Sequence, residues 1–130
     1  MPIRVLLADD HRLFADTLAL LLSDDERIEV VGHAEDGLQA VELALRLRPD
    51  VVLMDVQMPR LDGIEASRSL SSTLPSARVV MLTSSAAAED LERACAAGAF
   101  AYLTKDADGA AIAGEVVRAA ASDAPVVWAA

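Results

Sequence analysis

The chain has 130 residues and a formal net charge of −10, from 21 acidic and 11 basic side chains, and Lys105 is its only lysine. The length suits one domain, and the acidic charge argues against binding of nucleic acid or an anionic membrane by this chain itself, because phosphate binding needs clustered cations. No apolar stretch exceeds five residues, no secretory signal is present and the single Cys95 cannot form an internal disulfide, so we expect a soluble, cytoplasmic protein.

Five short apolar segments recur at intervals of roughly 22 to 27 residues, and their length and β-branched content are typical of strands. In chain order they cover residues 3–8, 28–34, 51–54, 78–82 and 101–104. The first, third and fourth are nearly all apolar, as in strands that are covered on both faces.

Helical patterns lie between and after these strands. The residues expected to face the core are Phe14, Leu18, Leu21 and Leu22 in the first helix, Leu38, Val41, Leu45 and Leu47 in the second, and Ile112, Val116 and Val117 in the last. Asp36 and Pro49 are the expected start and stop signals of the second helix. Further helices are predicted over 64–70, 87–97 and 108–121, with Gly98 as a left-handed terminator. This (βα)₅ alternation predicts an α/β fold, a doubly wound parallel sheet with helices on both faces.

Polar side chains follow all five strands, and those after the second, Glu35 and Asp36, are typical of ordinary helix capping. Asp9 and Asp10 follow the first strand, Asp55 the third, Thr83 the fourth and Lys105 the fifth. Each has an ordinary alternative as a helix cap, a turn residue or a surface group. In an open parallel sheet, however, ligands bind outside the carboxyl ends of the strands, and all five residues belong to that edge. Their convergence predicts a functional site.

The chemistry of this set favours a metal ion beside a phosphoryl group. Three carboxylates suit a hard octahedral cation, Mg²⁺ or Mn²⁺, and a lysine with a hydroxyl suits the remaining phosphoryl oxygens. No glycine-rich nucleotide cradle is present, so we expect the phosphoryl group on Asp55 itself. His11 follows the acidic pair and could tune it, but we favour a role at the start of the first helix.

Four segments resemble response-regulator receiver domains of two-component systems. They are Leu-Ala-Asp-Asp-His at 7–11, the stretch 48–63 around Leu-Met-Asp at 53–55, Met-Leu-Thr-Ser at 81–84 and Gly-Ala-Phe-Ala-Tyr-Leu-Thr-Lys at 98–105. The similarity extends from residue 3 to about 121. The start at 9–14 is similar to the NarL/FixJ class, whose members carry a C-terminal LuxR-type helix-turn-helix. The resemblance implies a flavodoxin-like sheet with strand order 2-1-3-4-5.

The resemblance also implies roles for the acidic residues. Asp55 would accept a phosphoryl group from a sensor histidine kinase. Asp10, Asp55 and the backbone carbonyl of Gln57 would ligate Mg²⁺, and Asp9 would act through a coordinated water. Gln57 and Ser85 occupy variable positions associated with the lifetime of the acyl phosphate.

Three further roles follow from the resemblance. Lys105 would pair with the phosphoryl oxygens, Thr83 would hydrogen-bond one of them, and Tyr102 matches the aromatic switch that turns inward when Thr83 moves. Two positions depart from the common pattern. Asp106 stands where many receivers have a proline in a cis bond, and Ala101 stands where a glycine often precedes the switch aromatic.

The resemblance implies a signalling switch rather than an enzyme with external substrates. Residues 1–121 would be the receiver, and 122–130, including Val126–Trp128, a tail or the start of a linker to an absent DNA-binding output domain in transcriptional control. Homodimerisation on phosphorylation is the family expectation. A constitutive docking module remains an alternative.

Two other classes that use this architecture or chemistry fit the sequence less well. A phosphohydrolase of the haloacid-dehalogenase type would need a second aspartate two residues after the nucleophile, where this chain has Gln57. An FMN carrier would need a phosphate loop after the first strand, where Asp9 and Asp10 would repel the phosphate.

Overall fold

Five parallel strands alternate with five helices in the computed structural model, which describes residues 1–84 and 88–122. The strands are β1 (Ile3–Ala8), β2 (Ile28–Ala34), β3 (Val51–Asp55), β4 (Arg78–Thr83) and β5 (Ala101–Thr104). The helices are α1 (Arg12–Ser23), α2 (Gly37–Leu47), α3 (Gly63–Thr73), α4 (Ala88–Ala96) and α5 (Gly109–Ala121). All neighbouring strands pair in parallel, in the order β2-β1-β3-β4-β5. The predicted fold class and strand order are confirmed.

Two strands are one residue longer than predicted. β3 includes Asp55, which pairs with Leu82, and β4 includes Thr83, which pairs with Thr104. The backbone of Asp55 and of Thr83 is therefore held in place by the hydrogen bonds of the sheet. The backbone bonding continues just beyond the strand ends, since the Lys105 amide donates to the Thr83 carbonyl at 2.7 Å.

The hydrophobic core consists of two clusters, one on each face of the sheet. Alternate residues of the central strands point to opposite faces, as the strand period of two requires. One cluster joins residues of α2, α3 and α4 to the strand residues Leu6, Val52, Met54 and Met81. The other cluster joins residues of α1 and α5 to the strand residues Val5, Leu7, Leu53, Val80 and Leu82. Burial on both faces explains why these strands are almost continuously apolar.

Three leucines that the helical pattern placed in the core are exposed instead. Leu21 of α1 is 50% exposed, and Leu38 and Leu45 of α2 are 44% and 39% exposed. Small residues of α2, including Ala40 and Ala44, face the sheet in their place. Close packing explains why small residues face inward in α2. A Cβ added to Gly37 would lie 1.9 Å from the Leu61 carbonyl oxygen, so the backbone of the helix contacts the β3–α3 loop directly.

The remaining predicted core positions are buried or partly buried. Leu18, Leu22, Ile112 and Val116 are buried, and Phe14, Val41, Leu47 and Val117 are partly buried.

The helix boundaries follow from capping residues. Asp36 caps α2 by accepting from the Gln39 amide at 2.8 Å, as predicted. Gly98 follows α4 with φ of 90°, which confirms the left-handed terminator. Asp62 and Asp108 cap α3 and α5 in the same way as Asp36 caps α2, so α5 begins one residue later than predicted.

α3 begins at Gly63 and runs to Thr73, so it extends beyond the predicted segment 64–70 at both ends. The predicted first residue of the fourth helix, Ala87, lies outside the described residues, as do Ser85 and the segment Val126–Trp128. Within the described ranges, no helix has the length and apolar content needed to cross a bilayer.

Candidate functional site

The five predicted site residues converge at the carboxyl edge of the sheet. Asp9 and Asp10 lie in the loop between β1 and α1, and Asp55 ends the adjacent strand β3. Asp9 and Asp55 are each only 4% exposed, whereas about a third of the Asp10 side chain is accessible. The site therefore has two buried carboxylates and one at its mouth.

Lys105 is the cation of this site. Its Nζ lies 2.7 Å from Asp9 Oδ2 and 3.3 Å from Asp55 Oδ2. The ammonium also lies 4.7 Å from the centre of the Phe14 ring, which closes the site on the α1 side. One lysine thus faces both buried carboxylates, so the pair carries one excess negative charge.

Asp55 has a perturbed acidity. Burial raises the pKa of Asp55 from 3.8 to about 6, and repulsion by the Asp9 carboxylate adds to the rise. The Lys105 ammonium and the Gln57 amide, 3.4 Å from Asp55 Oδ1, oppose it. At neutral pH the Asp55 carboxylate remains mainly ionised, and Lys105 compensates its negative charge only in part.

His11 belongs to the site, although the sequence favoured a role at the helix start over a role beside the acidic pair. It occupies the N-cap position of α1, but its side chain makes no capping hydrogen bond. Its Nδ1 instead lies 3.3 Å from Asp9 Oδ1, 3.5 Å from Asp10 Oδ1 and 3.9 Å from Asp55 Oδ2. The sequence signal was the position of His11 directly after the acidic pair.

The second histidine supports the acidic loop from behind. Nε2 of His33, in β2, lies 2.9 Å from the backbone carbonyl oxygen of Asp9. The carboxylate of Asp9 in turn accepts the His11 backbone amide at 2.8 Å. These bonds hold the backbone of the loop that carries both aspartates.

The loop between β3 and α3 forms the opposite wall. A Cβ added to Gly63 would lie 1.9 Å from the Asp55 carbonyl oxygen, so only glycine permits this approach. Arg60 has φ of 71° and lies 3.6 Å from the Asp36 carboxylate. A surface depression lies between the walls, lined by Asp10, His11, Asp55, Gln57, Met58, Pro59, Asp62 and Ser84. Gln57 is exposed at its rim.

Thr83 and Tyr102 are brought together beside the buried carboxylates. Tyr102 pairs with Met81 and Thr83 pairs with Thr104, so the Thr83 and Tyr102 side chains lie on the same face of the sheet, and Thr83 is buried. Burial raises the pKa of Tyr102, and the Thr83 hydroxyl partly opposes the rise. At the position where many receivers have proline, the Asp106 carboxylate accepts a hydrogen bond from the Thr104 hydroxyl. The departure at Asp106 therefore leaves a loop that is tied to β5.

The donor set fits a divalent cation. Asp9, Asp10, His11 and Asp55 each offer one ligand atom, and these atoms lie within 4.8 Å of one another. Asp9 Oδ2 and Asp55 Oδ2 are buried oxygens with an ion-pair partner, Lys105, but no directed hydrogen bond. Carboxylate oxygens are the ligands that Mg²⁺ and Mn²⁺ prefer.

The response regulator receiver domain model matches residues 5–117. The chain belongs to this family. Among curated relatives, the receiver is 42% identical over 123 residues to the transcriptional regulatory protein LiaR of Bacillus subtilis (strain 168), covering 95% of this chain and 58% of LiaR. It is 48% identical over 105 residues to the transcriptional regulatory protein PdtaR of Mycobacterium tuberculosis, covering 81% of this chain and 50% of PdtaR. The chain thus spans about half the length of these relatives.

Solved structures show the same likeness. The signal receiver domain of the response regulator NarL from Mycobacterium tuberculosis superposes with a TM-score of 0.89 at 33% identity, covering 92% of this chain and 96% of that one. A LuxR-family two-component response regulator from Aurantimonas sp. SI85-9A1 gives 0.87 at 30% identity, covering 93% and 86%. This receiver is therefore similar to the NarL and LuxR branch of two-component regulators, and its relatives LiaR and PdtaR are transcriptional regulatory proteins. Receiver domains bind Mg²⁺ at an acidic pocket and interact with histidine kinases.

Proposed function

We propose that this receiver is a phosphorylation-dependent switch in which Asp55 accepts a phosphoryl group from a sensor histidine kinase. The observation that carries the proposal is the position of Asp55: a buried carboxylate at the end of β3, 3.3 Å from the only lysine. A buried nucleophile with one nearby cation and one nearby carboxylate is arranged for group transfer rather than for stability.

The nucleophile of the transfer step is the ionised carboxylate of Asp55. An Asp55 oxygen attacks the phosphorus of the kinase phosphohistidine, a P–O bond forms and the P–N bond breaks, and the imidazole nitrogen keeps the bonding electron pair. A pKa of about 6 leaves Asp55 mainly ionised at neutral pH. The elevated pKa also reflects the repulsion that a transferred phosphoryl group would increase, so additional positive charge is required.

Mg²⁺ would supply that charge, and Mn²⁺ fits the same donors. Asp10, Asp55 and the Gln57 carbonyl would hold the ion, with Asp9 acting through a coordinated water. The ion would neutralise charge on the phosphoryl oxygens as they approach Asp55. The chain's own contribution is the placement of three carboxylates around one position and the exclusion of bulk water from two of them.

Lys105 and Thr83 would read the phosphorylated state. A phosphoryl group adds nearly two negative charges and three acceptor oxygens. Lys105 would pair with it, and the Thr83 hydroxyl would turn toward it and away from Tyr102. Tyr102 would then move inward and bias the surface formed by α4, β5 and α5 between two arrangements.

The output of the switch would lie in a further domain. We assign residues 1–121 to the receiver and 122–130 to a tail or linker that leads to a DNA-binding helix-turn-helix domain. The transcriptional regulators LiaR and PdtaR, about half of whose length this chain matches, support that assignment. We further propose phosphorylation-driven homodimerisation in the cytoplasm, with only self-phosphorylation and slow autodephosphorylation as chemistry.

The test uses acetyl phosphate as a small phosphodonor in the presence of Mg²⁺. The intact mass of the wild-type chain should rise by one phosphoryl group, and Asp55→Asn should show no rise. Asp16→Asn is the matched control, because Asp16 lies on the exposed face of α1; it should be labelled as the wild type is. Equal labelling of Asp55→Asn would show that the acceptor is another residue.

A further inference from the structure

We propose that His11 is a nitrogen ligand of the metal site, and that it makes this receiver bind borderline divalent ions such as Co²⁺ and Ni²⁺ more tightly than Mg²⁺. The inference rests on the proposed function, since Asp10 and Asp55 hold the metal in both. It adds a donor of a different chemical kind to a site otherwise made of oxygen atoms.

The first support is the position of His11 Nδ1 over the three carboxylates. It lies 3.3, 3.5 and 3.9 Å from one oxygen each of Asp9, Asp10 and Asp55. Two ligand atoms bound to one metal at about 2.1 Å lie roughly 3.0 to 3.4 Å apart, for octahedral and tetrahedral angles respectively. Relative to the octahedral separation, the distances from His11 Nδ1 to Asp9, Asp10 and Asp55 need contractions of about 0.3, 0.5 and 0.9 Å around a single ion.

The second support is that the imidazole does not cap the helix whose N-cap position it occupies. At an N-cap, the side chain normally accepts a backbone amide of the first helical turn, and serine, threonine, aspartate and asparagine serve this purpose. The His11 side chain makes no such bond. Its backbone amide is instead fixed by Asp9 Oδ1 at 2.8 Å, which anchors the residue while the ring lies at the mouth of the site, 65% exposed.

The third support is the contact between His11 and Lys105. Lys105 Nζ lies 3.1 Å from His11 Nδ1. An ammonium group has donors only, so in this contact the Nδ1 lone pair points at Lys105 Nζ, which itself lies against Asp9 and Asp55. A metal ion among the carboxylates would take up the same lone pair, and Lys105 would retain Asp9 as its partner at 2.7 Å.

Ligand chemistry then determines which ions benefit. Imidazole suits Co²⁺, Ni²⁺, Cu²⁺ and Zn²⁺, whose affinities for nitrogen ligands exceed those of Mn²⁺. Mg²⁺ prefers oxygen donors and keeps several waters, so an imidazole in place of one water contributes little to its binding. The buried Asp9 and Asp55 oxygens without directed hydrogen bonds supply the negative charge that either class of ion needs.

Pulsed electron paramagnetic resonance of bound Mn²⁺ tests the ligand directly, because a coordinated imidazole nitrogen modulates the electron spin echo. The chain contains only two histidines, so the assignment needs two variants. We expect nitrogen modulation in the wild type, its loss in His11→Ala and its retention in His33→Gln. His33→Gln is the matched control, because it removes the second imidazole but keeps an amide that can donate to the Asp9 carbonyl oxygen, which the His33 ring contacts at 2.9 Å. Modulation that survives in His11→Ala, or that is absent in the Mn²⁺-bound wild type, would overturn the inference.

Titration calorimetry tests the selectivity. At a pH of about 7.5, the wild type should bind Ni²⁺ at least about tenfold more tightly than Mg²⁺. His11→Ala should lose about tenfold or more in Ni²⁺ affinity, by comparison with the losses seen even for supporting residues of metal ligands. An equal affinity for Ni²⁺ in the two proteins would contradict the inference.

Failure of this inference is distinguishable from failure of the proposed function. If acetyl phosphate labels the wild type with Mg²⁺ but His11 shows no nitrogen coupling, only the ligand assignment is wrong. If the nitrogen coupling is present but no condition labels Asp55, the metal site stands and the phosphoacceptor assignment is wrong.

Discussion

Lys105 lies closer to Asp9 than to Asp55, at 2.7 Å against 3.3 Å between Nζ and the respective Oδ2 atoms. The sole lysine therefore compensates mainly the negative charge of Asp9, which accepts no phosphoryl group in the proposed mechanism. Asp55 is left with a pKa of about 6, raised by burial and by Asp9. A phosphoryl group on Asp55 would compete for the same ammonium, so movement of Lys105 away from Asp9 is the first rearrangement that we expect on phosphorylation.

Removal of the Lys105 charge should slow phosphorylation. In Lys105→Ala, the pKa of Asp55 should rise further and the incoming phosphoryl oxygens should lose their cation, so the rate of labelling by acetyl phosphate should fall by roughly tenfold or more. Time-resolved intact mass measures this rate. Arg118→Ala is the control, since it removes another cation that lies over an aromatic ring, 5.2 Å from Phe100 and away from the site. Similar slowing in both variants would contradict a specific role.

The raised pKa of Asp55 predicts a pH-dependent gain in stability for metal-free Asp55→Asn. The pKa is 3.8 in the unfolded chain and about 6 in the folded protein, so the folded state binds this proton more tightly. The ionised Asp55 carboxylate therefore lowers the free energy of unfolding of the wild type. This destabilisation has its full size above pH 6, and it disappears as the pH falls toward 3.8.

Urea unfolding with a chelator present measures this difference. Asp55→Asn should be more stable than the wild type by on the order of 2 kcal/mol at neutral pH, with the two converging near pH 4. Mg²⁺ should narrow the gap at neutral pH by stabilising only the wild type. A difference in the free energy of unfolding that is constant between pH 4 and pH 8 would show that burial does not destabilise the ionised Asp55 carboxylate.

The sequence was sufficient for the fold and for most of the site because both depend on chain order. Apolar segments of strand length that recur at regular intervals along the chain predict the sheet. Parallel strands then bring Asp9, Asp55 and Lys105 to the same edge, and this placement does not depend on their side-chain rotamers. The exposure of Leu38 was not predictable in this way, because it depends on how closely α2 approaches the β3–α3 loop. The position of the His11 ring depends on a side-chain orientation that sequence spacing does not specify.

The close approach at Gly63 predicts a large effect of a single methyl group. In Gly63→Ala, the new Cβ would meet the Asp55 carbonyl, so the free energy of unfolding should fall by about 3 kcal/mol and Asp55 labelling should slow. Gly114→Ala is the matched control, a helical glycine of α5 with no atom within 4 Å of the added Cβ. That variant should gain about 0.5 to 1 kcal/mol, since alanine favours helix over glycine. Equal stability of the two variants would exclude the steric role of Gly63.

The contact between Thr83 and Tyr102 predicts an energetic coupling that can be measured by a double-mutant cycle. Thr83→Val and Tyr102→Phe each remove one hydroxyl with little change of shape, so their combined effect on the free energy of unfolding should differ from the sum of the single effects. A coupling of about 0.5 to 1.5 kcal/mol is the value expected for one hydrogen bond between the two hydroxyl groups. Additivity within about 0.3 kcal/mol would show that the contact contributes no stability.

The same cycle, repeated with Mg²⁺ and beryllium fluoride as a mimic of the phosphoryl group, tests how the contact enters the switch. The Thr83 hydroxyl has one proton to donate, and a phosphoryl-like group on Asp55 offers a charged acceptor, which forms a stronger hydrogen bond than a neutral phenol. The coupling between Thr83 and Tyr102 should therefore fall toward zero in the bound state. A coupling that keeps its full value would mean that Thr83 stays with Tyr102, and the motion of Tyr102 would then need another cause.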